Sequence, residues 1–207
     1  MQAERFAQLT RAGKLSRVLR NIDLALKSGL KIKLNSVILK QLNSDEVLDL
    51  VDFALSKRLD ISFIEEIPLG QITKHRRSEE SISSESLRHE ITPHYSLTPS
   101  SHTTSGPSRY WSTSTHLSLI EFISPHSENL CSSCNRLRLT AEGKVLSCLG
   151  NEDSVDIKYI LRRYPSDNVR LNQAILDSIT KKPERHHFEM DAKPDIVRFM
   201  NSTGGSG

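Results

Sequence analysis

Apolar residues recur at helical spacing through Leu15, Val18, Leu19, Ile22, Ala25 and Leu26, and Gly29 stands where such a helix should stop. The pattern then changes period. In KIKLNSVIL the apolar positions Ile32, Leu34 and Val37 predict a strand. Asn43 with Glu46 three residues on has the form of a capping box, and Val47, Leu48, Val51, Ala54 and Leu55 fall on one face of the helix behind it. DISFIEEIPLG predicts a second strand. Strand, helix, strand implies a right-handed crossover and parallel pairing. Two strands are too few for a stable α/β layer, so residues 1–70 are expected to be one segment of a larger sheet.

Residues 71–116 are rich in Ser, Thr and Pro and predict a loop-rich connector, partly disordered, with a short helix around Ser86–Ile91. Beyond it, residues 117–191 return to patterned sequence. LSLIEFIS predicts a strand at 117–124, and LRLTAEGKVLSCL a hairpin turning at Ala141-Glu142-Gly143. Helices are expected at 154–164 and 166–182, the second stopped by Pro183. The tail, 192–207, ends in NSTGGSG and is expected to be flexible. No internal repeat is present.

Composition changes this picture little. Apolar residues make up 36% and aromatics 5% of the 207, which permits a core but leaves much surface. A net charge of +3 does not call for nucleic acid, and none is expected as a partner; local Lys and Arg would serve an anionic small molecule equally well. No apolar run approaches the roughly eighteen residues needed to cross a bilayer, and the start lacks the apolar run of a signal peptide. A cytoplasmic, reducing compartment with no membrane partner is therefore expected. There, clustered cysteines read as metal ligands rather than disulfides.

All three cysteines lie in CSSCNRLRLTAEGKVLSC, residues 131–148, spaced C-x2-C-x13-C. Cys131 and Cys134 can address one metal from a tight turn, and Cys148 can return to the same point from the end of the hairpin. The spacing leaves two metals open. Zinc would take a fourth ligand, for which His126, five residues upstream, gives a Cys3His set. An iron–sulfur cluster on three cysteines would keep one iron open. Arg136 and Arg138 project to the same side of a strand, with Leu137 and Leu139 on the other, expected to face a core. Two guanidiniums beside a metal suit a carboxylate or phosphate, although a solvated strand face has the same spacing.

At this point the residues carry a resemblance. CSSCNRLRLTAEGKVLSCL closely resembles the second cluster motif of the GTP 3′,8-cyclases of molybdenum cofactor biosynthesis, a radical S-adenosylmethionine family. ERFAQLTRAGKLSRVLRNIDLAL, GLKIKLNSVILKQLNSDEVLDLVDFA, FIEEIPLG, GPSRYW, IEFISP, KPERHHF and Gly204-Gly205 are similar to it in the same order. The resemblance implies an α/β fold: the C-terminal part of a partial (β/α) barrel, with a C-terminal α+β extension carrying an iron–sulfur site. It implies one [4Fe–4S] cluster on Cys131, Cys134 and Cys148. It implies GTP contacts from Lys33, Arg136, Leu137 and Arg138, and S-adenosylmethionine contact near Ile67, where the family has a methionine. Gly204 and Gly205 match a terminal pair that reaches toward the active site.

The sequence departs from that pattern in places. The C-x3-C-x2-C motif of the radical-forming cluster is absent, and the family's arginine before FIE is Ser62 here. The chain is thus expected to be a truncated, GTP-binding part of the cyclase, inactive alone, whose S-adenosylmethionine belongs to the full-length family. A separate N-terminal radical chain or a second copy would be its partner. The alternative is a non-catalytic metal- or nucleotide-binding module, or a Cys3His zinc protein.

Overall fold

The computed structural model describes residues 1–11, 13–68, 77–104, 106–128, 131, 134, 136–150 and 152–184. The chain divides into two compact units, one of residues 1–66 and 79–128, the other of 67–78 and 129–207.

The first unit opens on helices α1 (Ala3–Thr10) and α2 (Leu15–Lys27). Gly29 ends α2 in the left-handed region at φ +74°, with the Leu30 amide donating to the carbonyl of Ala25, a geometry that glycine adopts without strain. Strand β1 (Lys33–Val37), helix α3 (Val47–Ser56) and strand β2 (Asp60–Ile64) form the crossover read from periodicity, with β1 and β2 parallel. β5 (Ile120–Ile123) pairs parallel to β2, and β4 (Arg109–Ser112) and the short β3 (Thr98–Pro99) continue antiparallel. The result is a mixed five-stranded sheet ordered β1-β2-β5-β4-β3. The α/β expectation therefore holds.

One face of this sheet is the core. Ile61 and Phe63 on β2 and Ile120 and Phe122 on β5 are fully buried against Val47, Val51, Ala54 and Leu55 of α3 and Leu87 and Ile91 of α5 (Ser84–Tyr95). Phe122 is stacked on Phe63 at 5.8 Å and meets Trp111 edge-on at 5.1 Å. The alternate residues, Ser62 and Glu121, are register partners on the opposite, polar face, which sheet alternation requires.

Several expectations change. Asn43 forms no capping box: its side chain accepts from the Leu39 amide at 2.8 Å and donates to the Val37 carbonyl at 3.0 Å, folding the turn backward instead of capping forward. Val37 is 41% exposed on the polar side of β1, while Leu34 packs on the core. In the Ser/Thr-rich stretch, the short helix becomes a twelve-residue α5, capped by Ser83 Oγ accepting from the Ser86 amide. Burial of Leu87 and Ile91, one turn apart, outweighs the polar composition. Residues 71–76 and 105 of that stretch lie outside the described residues.

In the second unit, β6 (Arg138–Leu139), β7 (Lys144–Leu146) and β8 (Ser154–Asp156) form an antiparallel sheet. The expected hairpin is thus present, with Gly143 at φ +84° in its turn. The helix expected at 154–164 starts later, as α6 (Ile157–Arg163), because residues 154–156 pair with β7 and Asp156 then caps α6 by accepting from the Tyr159 amide. α7 (Asn168–Thr180) packs on β7 and β8. No described helix is long and apolar enough to cross a membrane.

Candidate metal and anion site

In the second unit Cys131, Cys134 and Arg136 precede the β6–β7 hairpin, Arg138 lies on its first strand and Cys148 follows its second. The burial there is the reverse of the alternation-based expectation. Arg136 and Arg138 are half-buried, whereas Leu137 and Leu139 are 40% and 57% exposed. The arginines are thus the more buried pair and the leucines the more exposed. Arg138 is the more telling of the two. Its Nη1 is buried without a hydrogen-bond partner among the described residues. Burial lowers its proton affinity, the Arg136 charge lowers it further, and Cys134 works in the opposite sense. A buried donor left unmade costs about 1–3 kcal/mol.

None of the three thiols is in a disulfide; Cys131 and Cys148 are half-buried and Cys134 is exposed. Burial raises the Cys134 thiol, but the Arg136 amide and the Lys182 ammonium outweigh it and hold it below its usual value. Burial pushes the Cys148 thiol up. The Gly150 amide, donating to its Sγ at 3.3 Å, opposes this, while charge on Cys131 and Cys134 raises it further. Among the described residues, no group of three or more His, Cys, Asp or Glu side chains is gathered as a ready metal site. The donor set nevertheless fits a thiolate-ligated group: N–H···S contacts on Cys134 and Cys148 and nearby guanidiniums all favour anionic sulfur.

Lys182, which spacing did not single out, enters this site from 48 residues away. Its Nζ donates to the Cys134 carbonyl at 2.6 Å and to the Arg136 carbonyl at 3.2 Å, and lies 3.3 Å from Cys134 Sγ. It stands two residues beyond α7, inside the KPERHHF stretch, and that match was its only signal.

His126 belongs to the first unit. Its Nε2 lies 2.7 Å from the Glu66 carbonyl, and its amide donates to Glu65. Lys33, also in the first unit, is paired with buried Glu121 at 3.0 Å; Ser62 Oγ donates to the same carboxylate oxygen at 2.7 Å. Ser62, fully buried, thus takes up part of Glu121's hydrogen-bonding capacity. Ile67 is half-buried in the second unit. Gly204 and Gly205 lie outside the described residues.

A second carboxylate escaped the sequence reading. Glu65, just past β2, accepts from the amides of Ser84, His126 and Ser127 and from Ser127 Oγ, at 2.6–3.1 Å. Burial raises its carboxyl, but these four bonds together hold it below the ordinary value. It clamps the end of β2 to the start of α5 and to the turn after β5. The Glu128 amide closes that turn on the Ser124 carbonyl. Its single signal was the doubled acid in FIEEIPLG.

Fold and site together define a mixed α/β protein whose second unit carries cysteines and arginines around a hairpin. Residues 59–188, more than half the chain, match the family Molybdenum Cofactor Synthesis C, and the chain belongs to that family. Curated relatives named GTP 3′,8-cyclase are similar over 99% of this chain: that of Pseudomonas entomophila (strain L48) at 50% identity, that of Pseudomonas putida (strain W619) at 51%, and that of Saccharophagus degradans at 48%. The chain spans 62% of the length of these relatives.

Proposed function

We propose that this chain is the GTP-holding, cluster-bearing part of a GTP 3′,8-cyclase. The observation that carries the reading is the half-buried pair Arg136 and Arg138 beside three thiols, with the buried Arg138 Nη1 unpartnered among the described residues. The similarity to cyclases at about half identity supports it. On this reading the five-stranded sheet, with its parallel β1, β2 and β5, is part of a radical-enzyme (β/α) barrel.

Each residue then has a task. Cys131, Cys134 and Cys148 would hold a [4Fe–4S] cluster, which would supply an open iron for the substrate base. Arg138 offers its unpaired nitrogen to phosphate oxygens, and Arg136, beside it, adds the second charge of a fork that matches phosphate geometry. Leu137, more exposed, offers only apolar contact. Lys33 is the further GTP lysine of this reading; to bind phosphate it must share its ammonium with Glu121. Ile67 would lie near S-adenosylmethionine, and Gly204 and Gly205 near the substrate. All three cysteines of the chain are taken by one site, so radical formation from S-adenosylmethionine would need thiolates from elsewhere, such as a separate chain.

Equilibrium dialysis of the anaerobically reconstituted chain against GTP tests the reading. GTP is expected to be retained, and Arg136→Met and Arg138→Met each to weaken it. GTP binding that is absent, or indifferent to both variants, would contradict it.

A further inference from the structure

Lys182 uses its ammonium in an unusual way. An ammonium carries three protons, and here three acceptors surround it: the carbonyls of Cys134 and Arg136 and the sulfur of Cys134. Its own backbone is fixed. The Lys182 amide donates to the Ile179 carbonyl and the Lys181 amide to that of Asp177, and Pro183 follows. Since α7 packs on β7 and β8, the lysine is delivered from the same small sheet that carries Arg138. Its neighbour Lys181 is exposed and joins none of these contacts.

We propose that Lys182 is a positioning residue that aims Cys134 and fixes the backbone at Arg136, just ahead of the strand bearing Arg138, so that metal retention and anion affinity depend on one side chain. The geometry allows little else. The two contacts hold the carbonyls of Cys134 and Arg136, and neither carbonyl can move away without breaking one of them. The sulfur contact sets a positive charge against one ligand. A cation hydrogen-bonded to a ligand thiolate stabilises the reduced, more negative cluster and slows loss of the thiolate.

The inference rests on the proposed metal reading, and one experiment separates the two. The parent chain, Lys182→Met, Lys182→Arg and Lys181→Met are reconstituted anaerobically with iron and sulfide. Iron release to a chelator, the midpoint potential of the cluster that forms, and affinity for GTP are then measured. Lys182→Met is expected to release iron about 10–100-fold faster, to shift the potential more negative, and to bind GTP more weakly. Lys182→Arg should recover most of each, and Lys181→Met should match the parent. The potential is read on whatever fraction carries a cluster, so poor loading of one variant does not blunt the test. A Lys182→Met protein with the parent's potential and release rate overturns the inference and leaves the metal reading standing. A parent chain that takes up no iron overturns both.

Discussion

Arg138→Met should move stability and binding in opposite directions. The guanidinium is half-buried, its Nη1 has no hydrogen-bond partner among the described residues, and Arg136 repels it. Methionine keeps most of the apolar stem and removes the stranded donor and the like-charge contact. The unmade donor costs about 1–3 kcal/mol, of which the free chain should regain at least about 1 kcal/mol. For a chain of this size that is a rise of roughly 2–4 °C in Tm. Binding should fall. A hydrogen bond to a charged group contributes about 1.5–3 kcal/mol, which at about 1.4 kcal/mol per decade is roughly 10- to 150-fold in GTP affinity. Differential scanning fluorimetry of the free chain and equilibrium dialysis with GTP read the two effects on one preparation. A variant that melts below the parent and binds GTP equally well would show that Arg138 is a structural residue, and the reasoning would be wrong.

Three further outcomes follow from the same structure. Glu65→Ala strands three backbone amides at once and should cost on the order of 2–4 kcal/mol in urea unfolding. Because its folded pKa is lowered, Glu65 contributes fully above the ordinary value of 4.5 and loses that contribution as pH falls through the folded value; Glu65→Gln should flatten this acid limb of the stability curve. Gly143→Ala combines a φ of +84° with a Cβ placed 2.5 Å from that of Lys158, for a loss of about 1–3 kcal/mol by thermal melting. Gly143→Asn, which tolerates the backbone angle, should still suffer from the same clash. Lys33→Met leaves buried Glu121 with the Ser62 hydroxyl as its side-chain donor among the described residues; since the lysine side chain is 40% exposed, the cost should be about 1–3 kcal/mol rather than that of a fully buried pair, and adding Glu121→Leu should recover most of it.

Local periodicity carried the first crossover: β1, α3 and β2 fall where a change of period from 3.6 to 2 placed them, and Gly29 and Gly143 both take left-handed angles at the predicted boundaries. Where composition was set against tertiary burial, burial decided. α5 has Ser, Thr, His and Pro93 along it, yet Leu87 and Ile91, with Tyr95 packed on the same core and donating to Asp52 of α3, dock it beside that helix. Alternation paired Arg136 with Arg138 correctly but could not say which side is the more buried, because that depends on what packs across the hairpin. The cysteines were singled out by their spacing, three thiols within eighteen residues. Lys182, Glu65 and Glu121 were not legible from local pattern. Each acts on partners 19 to 88 positions away, and a sequence period carries no record of such contacts.

The central claim is that the chain holds an iron–sulfur group on Cys131, Cys134 and Cys148. Anaerobic purification and reconstitution, followed by iron, sulfide and zinc analysis, tests it most directly. The account predicts a brown chain with broad visible absorbance and about four irons and four sulfides per chain, lost on Cys148→Ser. A colourless chain that retains one zinc and takes up no iron would contradict it.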